Sequence, residues 1–130
     1  MKTKTLSISI SCAPQKVYNF VSNLENFPKW VKFCRSIKKS KMGWVMETLQ
    51  GRMKIRIAAK NKLGVLDHYI TDNSGVEVFV PMRVVPSLSG SEMTFTLFQM
   101  PNMLDKNYIK DIELVKKDLA SLKNIMEVKK

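Results

Sequence analysis

The order of elements constrains this chain more than any other feature of its sequence: short alternating strands come first, and one long amphipathic helix, residues 106–127, closes the chain. Residues 3–11 alternate cleanly, with Leu6, Ile8 and Ile10 on one side and Thr5, Ser7, Ser9 and Ser11 on the other, which predicts a half-buried strand. Pro14 then stands where a first helical turn tolerates proline, and Val17, Phe20, Val21 and Leu24 recur at helical spacing, so residues 14–23 read as a short helix. A second, briefer turn carries Phe27, Trp30 and Val31 and is interrupted by Pro28.

From residue 35 the period changes. Strands are expected over 35–41, 44–49, 52–60, 65–71, 76–85 and 92–99, separated by turn signals at 42–43, 50–51, 61–64, 72–75 and 86–90. Connections this short imply antiparallel neighbours, because a parallel crossover needs a dozen or more residues. Within 52–60, Met53, Ile55, Ile57 and Ala59 alternate with Arg52, Lys54, Arg56 and Lys60, giving one buried and one wet face. By the same rule Val78, Val80, Met82 and Val84 point inward, as do Met93, Phe95 and Leu97, while Pro81 marks an edge or a bulge that bends the sheet. The closing helix follows a cap at Asp105. Its stripe of Tyr108, Ile112, Val115, Leu119, Leu122 and Met126, widened by Ile109 and Ile125, is the face that seats on a sheet. The fold class is therefore α+β: a curved antiparallel sheet of about seven strands, two short helices after the first, and a long C-terminal helix packed on the concave face.

With 130 residues, 45% of them hydrophobic, the chain has material for a single domain, residues 1–130, with a real core. No stretch approaches the roughly 20 apolar residues of a membrane span, and serines interrupt the N-terminal segment where a signal peptide is apolar, so a cytoplasmic protein is expected. Cys12 and Cys34 are too few and too far apart for a disulfide scaffold or a zinc site, and free buried thiols are expected, with no metal and no cofactor. The net charge of +11 raises an acidic partner, and its densest run, residues 29–41, holds Lys29, Lys32, Arg35, Lys38, Lys39 and Lys41. Lysine far outnumbers arginine, no stacked aromatic platform is evident, and the charge is scattered, so a solvated face is the simpler reading.

Several segments carry a family resemblance. The run Cys12-Ala13-Pro14-Gln15-Lys16-Val17-Tyr18-Asn19-Phe20-Val21 resembles the strand-to-helix entrance of the SRPBCC superfamily, and Leu24-Glu25-Asn26-Phe27-Pro28-Lys29-Trp30 its following short helix. Gly64-Val65-Leu66-Asp67-His68, Val80-Pro81-Met82-Arg83-Val84, Gly90-Ser91-Glu92-Met93-Thr94-Phe95-Thr96-Leu97-Phe98 and Asp118-Leu119-Ala120-Ser121-Leu122-Lys123 are similar to a small bacterial subgroup of it. That superfamily contains START-like lipid carriers, plant pathogenesis-related proteins and polyketide cyclase/dehydrase-like proteins. The resemblance implies the helix-grip fold. It carries over no catalytic signature, because one scaffold there hosts transport, hormone binding, cyclisation and co-chaperone work.

His68, the only histidine, shares strand parity with Leu66 and Ile70 and is expected inside, where a neutral imidazole can hydrogen-bond a ligand or act as general base. Asp67 points to the opposite face and cannot pair with it. Arg83 and Arg56 fall on the wet face. Nine methionines add adaptable thioethers to the interior. The expected ligand-binding set is His68, Met46, Ile55, Ile57, Val80, Met82, Phe95, Ile112, Val115 and Leu119, around a small apolar molecule of lipid or polyketide character. A cyclase or dehydratase using His68 as acid or base is the first alternative, and a basic surface for an acidic partner the second. No specific nucleic acid is expected as partner, and a homodimer is left open.

Overall fold

The computed structural model describes residues 2–128. Strand β1 (Thr3–Ile10) leads into α1 (Pro14–Ser22), a 3-10 turn (Leu24–Asn26) and α2 (Phe27–Trp30). Strands β2 (Cys34–Ser40), β3 (Gly43–Thr48), β4 (Gly51–Ile57), β5 (His68–Thr71), β6 (Glu77–Val80), β7 (Met82–Ser87) and β8 (Gly90–Phe98) follow, and α3 (Asp105–Val128) closes the chain. All pairings are antiparallel. They form a meander in the order β2-β3-β4-β5-β6 and a three-stranded sheet β1-β8-β7, in which the first strand returns beside the last.

Two expected strands divide where the chain passes from one sheet to the other. The run 76–85 breaks at Pro81: β6 pairs with β5, whereas β7 pairs with β8. Proline has no N–H to offer a ladder, and here its carbonyl accepts from Thr96 N at 2.9 Å, so the break turns one strand into two. The run 65–71 divides as well. Leu66 N donates to Met82 O (2.8 Å) and Val84 N to Gly64 O (3.0 Å), which ties 64–66 to β7, while His68–Thr71 lies between β4 and β6. Gly64 permits that close approach: its φ is +75°, and a Cβ there would run into the carbonyl oxygen of Val84. Asp67 stands at the crossing, accepting from Met82 N (2.8 Å) and holding Arg83 through both carboxylate oxygens at 3.1 and 2.8 Å. The count is thus eight strands, with the expected curvature placed at this seam.

The core joins Leu6 and Ile10 of β1, Val17 and Val21 of α1, Phe27 and Trp30 of α2, and Met46, Ile55, Leu66, Met82, Val84 and Met93 of the sheets to Leu119, Leu122 and Met126 of α3. Alternation therefore assigns the inner face as expected. Ile109 is the exception on α3: it is 59% exposed and does not widen the buried stripe. The helix is tied at both ends. Tyr108 Oη donates to Leu97 O (2.9 Å) and Gln99 Nε2 to Asp105 Oδ1 (2.8 Å) at its start; near its end Ser11 N donates to Glu127 Oε2 (2.8 Å) and Lys123 Nζ to Ser9 O (2.8 Å).

Candidate functional site

The α3 stripe is covered unevenly. Tyr108 at its start and Leu119, Leu122 and Met126 toward its end are buried, whereas Ile112 and Val115 between them are only partly buried although they point the same way. The closest backbone neighbours of α3 are β1 and α2. On the strands, Trp44, Met53, Ile57, Ile70 and Phe95 also keep part of their surface while packing on the core. These partly buried apolar side chains lie on the concave side.

The ten expected ligand-binding residues divide accordingly. Ile57, Phe95, Ile112 and Val115 belong to the partly buried set. Met46, Ile55, Val80, Met82, Leu119 and His68 are each buried. All ten are on the inner side. Two surface pockets are present, and none of the ten expected residues lines either. One, about 470 Å³, is lined by Ser11, Cys12, Ala13, Lys16, Ser89 and Gly90 beside the start of α1; the other, about 310 Å³, lies around Val45, Arg52, Met53, Lys54 and Asp72.

His68 faces inward, as its parity requires, and is 2% exposed. Its Nδ1 lies 3.1 Å from Leu66 O, and the ring makes edge contacts with Phe27 (5.7 Å between centroids) and Phe95 (6.2 Å). Burial among these rings pushes its pKa down to about 4, against the smaller opposing pull of the Leu66 carbonyl and of Asp67. The imidazole is therefore neutral at physiological pH. Asp67 serves the sheet seam, as described, and the Arg83 guanidinium beside it holds its carboxyl below the usual range.

Sequence patterning does not single out Asp118. It is buried on α3 with its Oδ1 accepting from Lys32 N at 3.2 Å, and desolvation raises its pKa to about 6. Asp111, one heptad earlier, is half-buried and likewise pushed up by desolvation. The available signal is positional: Asp111 and Asp118 precede the stripe residues Ile112 and Leu119 by one, which puts them on the edge of the seated face. Cys34 is buried and its thiol is pushed up to about 11 by desolvation.

On the outer face one expectation needs correcting. A row of stacked aromatic side chains is present: Arg56 lies 4.0 Å over the Tyr69 ring, Tyr69 stacks on Phe79 at 4.8 Å, and Phe79 on Phe98 at 6.4 Å. Pairing across strands creates it, a register the linear pattern does not display. Tyr69 lies between Arg56 and Phe79, and Phe79 between Tyr69 and Phe98, so the row covers its own ring faces and bridges β6 to β8 across the seam. The basic residues of 29–41 are all exposed, and none enters an ion pair among the described residues. Among the described residues no helix is long and apolar enough to cross a membrane, and no cluster of ligating side chains is arranged to hold a metal ion.

No protein-family model and no curated protein matches the chain. Solved structures do. The protein XoxI from Bacillus cereus superposes with a TM-score of 0.77 at 17% identity, over 97% of this chain and 96% of that one. Ara h 8.0201 gives 0.70 at 12% identity over 96% and 97% of the two chains. The di-domain ARO/CYC BexL from the BE-7585A biosynthetic pathway gives 0.77 at 14% identity, over 99% of this chain and 47% of that one. At these identities the likeness shows the fold alone, and that fold is the helix-grip arrangement.

Proposed function

We propose that this protein binds a small apolar molecule of lipid or polyketide character in a cleft between the middle strands and the first half of α3. The carrying observation is that Ile57, Phe95, Ile112 and Val115 are only partly buried on faces whose neighbours Ile55, Met93 and Leu119 are buried. Apolar side chains that converge without covering one another leave surface that a ligand can remove from water, at about 25 cal/mol per Å². Flexible thioethers at Met46, Met53 and Met82 suit a ligand of irregular shape. The superfamily whose fold it shares includes lipid carriers and hormone binders.

Acid or base work by His68 is less well supported. Its Nδ1 is engaged by a backbone carbonyl, no carboxylate lies within hydrogen-bonding reach among the described residues, and a ring neutral above about pH 5 is a poor general acid. A basic docking surface has the exposed run 29–41 in its favour, but nothing on that surface selects a partner.

The experiment is binding of the fluorescent apolar probe 1-anilinonaphthalene-8-sulfonate, together with native mass spectrometry of the freshly purified protein. Val115→Trp fills the cleft and should weaken the probe about tenfold or more, since a displaced ligand loses its buried area. Ile109→Trp, on the exposed side of the same helix, should leave binding unchanged. Equal binding by both variants, with circular dichroism unaltered, would remove the cleft as the site.

A further inference from the structure

Two aromatic side chains of the interior each keep a ring nitrogen without a protein partner among the described residues, and one of the two nitrogens is sealed from solvent. Trp30 is 2% exposed, and its Nε1–H is the one sealed side-chain nitrogen or oxygen among the described residues that lacks a partner. His68, also 2% exposed, makes one hydrogen bond, between Nδ1 and Leu66 O, and none through Nε2 among the described residues. Both flank one ring: Phe27 meets Trp30 edge-on at 5.5 Å and His68 edge-on at 5.7 Å between centroids.

The Leu66 carbonyl decides which tautomer His68 adopts. A carbonyl only accepts, so Nδ1 must carry the proton; in the neutral ring Nε2 then bears a lone pair and can only accept. Phe27 thus contacts both a ring with an unpaired donor and a ring with an unpaired acceptor. Native proteins rarely leave a sealed donor such as Trp30 Nε1–H unpaired, because it forfeits its hydration without replacement.

We infer that the ligand of the cleft is a hydroxylated apolar molecule, an alcohol or phenol, whose O–H donates to His68 Nε2, with Trp30 Nε1–H donating to an oxygen of the same molecule. This rests on the binding reading proposed above and adds the chemical class. A ketone or ester serves Trp30 but offers His68 no proton, a hydrocarbon serves neither, and a carboxylate sets a negative charge against a lone pair. Phe95, in edge contact with the imidazole at 6.2 Å and itself half-exposed, is the step between the buried histidine and the open part of the cleft. Its ring is the one that must turn to admit the hydroxyl.

The test uses 1-decanol, 2-decanone and decane as displacers of 1-anilinonaphthalene-8-sulfonate. Decanol should bind about tenfold or more tightly than decanone, because the ketone leaves the histidine acceptor unpaired. His68→Leu should erase that gap, with decanol losing more affinity than decanone. In the unaltered protein, nitrogen-15 spectra of the imidazole should show the proton on Nδ1, and decanol but not decanone should shift Nε2; this readout holds even where His68→Leu does not fold. Equal binding of all three compounds overturns the inference and leaves an apolar cleft standing. Binding of none of them overturns the cleft, and the inference with it. A free protein whose imidazole carries its proton on Nε2 overturns the inference whatever the affinities are.

Discussion

Two buried titratable groups with opposite linkage predict that this protein's stability hides its own pH dependence. Asp118 rises from an ordinary 3.8 to about 6, so the folded state holds a proton the unfolded chain has already released. That stabilising contribution is complete below pH 3.8 and is lost as pH rises through 6. His68 falls from 6.5 to about 4, so the unfolded chain takes up a proton that the folded state refuses. Its contribution is complete above pH 6.5 and is lost as pH falls through 4. A folded pKa displaced by one pH unit from its unfolded value is worth about 1.36 kcal/mol, so each group contributes about 3 kcal/mol, with opposite sign over the same interval. Asp111, also raised, tilts the balance slightly in the direction of Asp118; Asp67, Asp72 and Asp105, all lowered, act below the interval. Urea unfolding at about pH 4, 5 and 6.5 should therefore show a nearly level stability for the natural sequence. Asp118→Asn keeps an acceptor for Lys32 N but removes the charge, and its stability should climb by about 2 to 3 kcal/mol across that range. His68→Gln should fall by a similar amount over the same range. The slope is the quantity compared, so any uniform loss caused by either substitution does not enter. Three parallel curves would refute the assignment of both groups.

Three further outcomes follow from the seam and the thiols. Asp67→Ala strands the Met82 N–H and should cost about 2 to 3 kcal/mol in urea unfolding, whereas Arg83→Ala, which removes only a half-exposed cation from the same pair, should cost less than about 1 kcal/mol. Comparable losses would mean that the carboxylate acts through the ion pair alone. Gly64→Ala should lower the thermal midpoint by several degrees or abolish folding, because its Cβ collides with a backbone carbonyl and its φ is positive; an unchanged midpoint would contradict the close approach to β7. A disulfide reagent at about pH 8 should titrate the half-exposed Cys12 quickly and Cys34 only after denaturant is added, and two fast thiols would contradict the burial of Cys34.

Much of this architecture is legible because period and burial coincide. The alternation of β1, the wet and dry faces of β4 and the stripe of α3 each follow from spacing alone, and the structure places the expected inner residues inside. What stays hidden is information carried between strands. The runs 65–71 and 76–85 each look like one strand because alternation continues through them; the partner changes midway, and a sequence pattern does not name partners. Pro81 signals a bend there but not a change of sheet. The stacked row on the outer face and the carboxylate of Asp118 escape for the same reason, since both depend on what lies opposite. The inner position of His68 follows from parity, while its tautomer and the orphaned indole of Trp30 require atomic contacts.

The ties at both ends of α3 bear on how anything could reach the interior. A helix fastened at one end can swing as a lid, but this one is held like a beam on two supports, by Tyr108 and Asp105 at one end and by Lys123 and Glu127 at the other. Such a beam yields most at mid-span, and Ile112 and Val115 lie between the two supports, toward the first. For a ligand of the proposed kind, entry by rotation of side chains beneath a slightly bowed helix would leave the hydrogen bonds at both abutments in place.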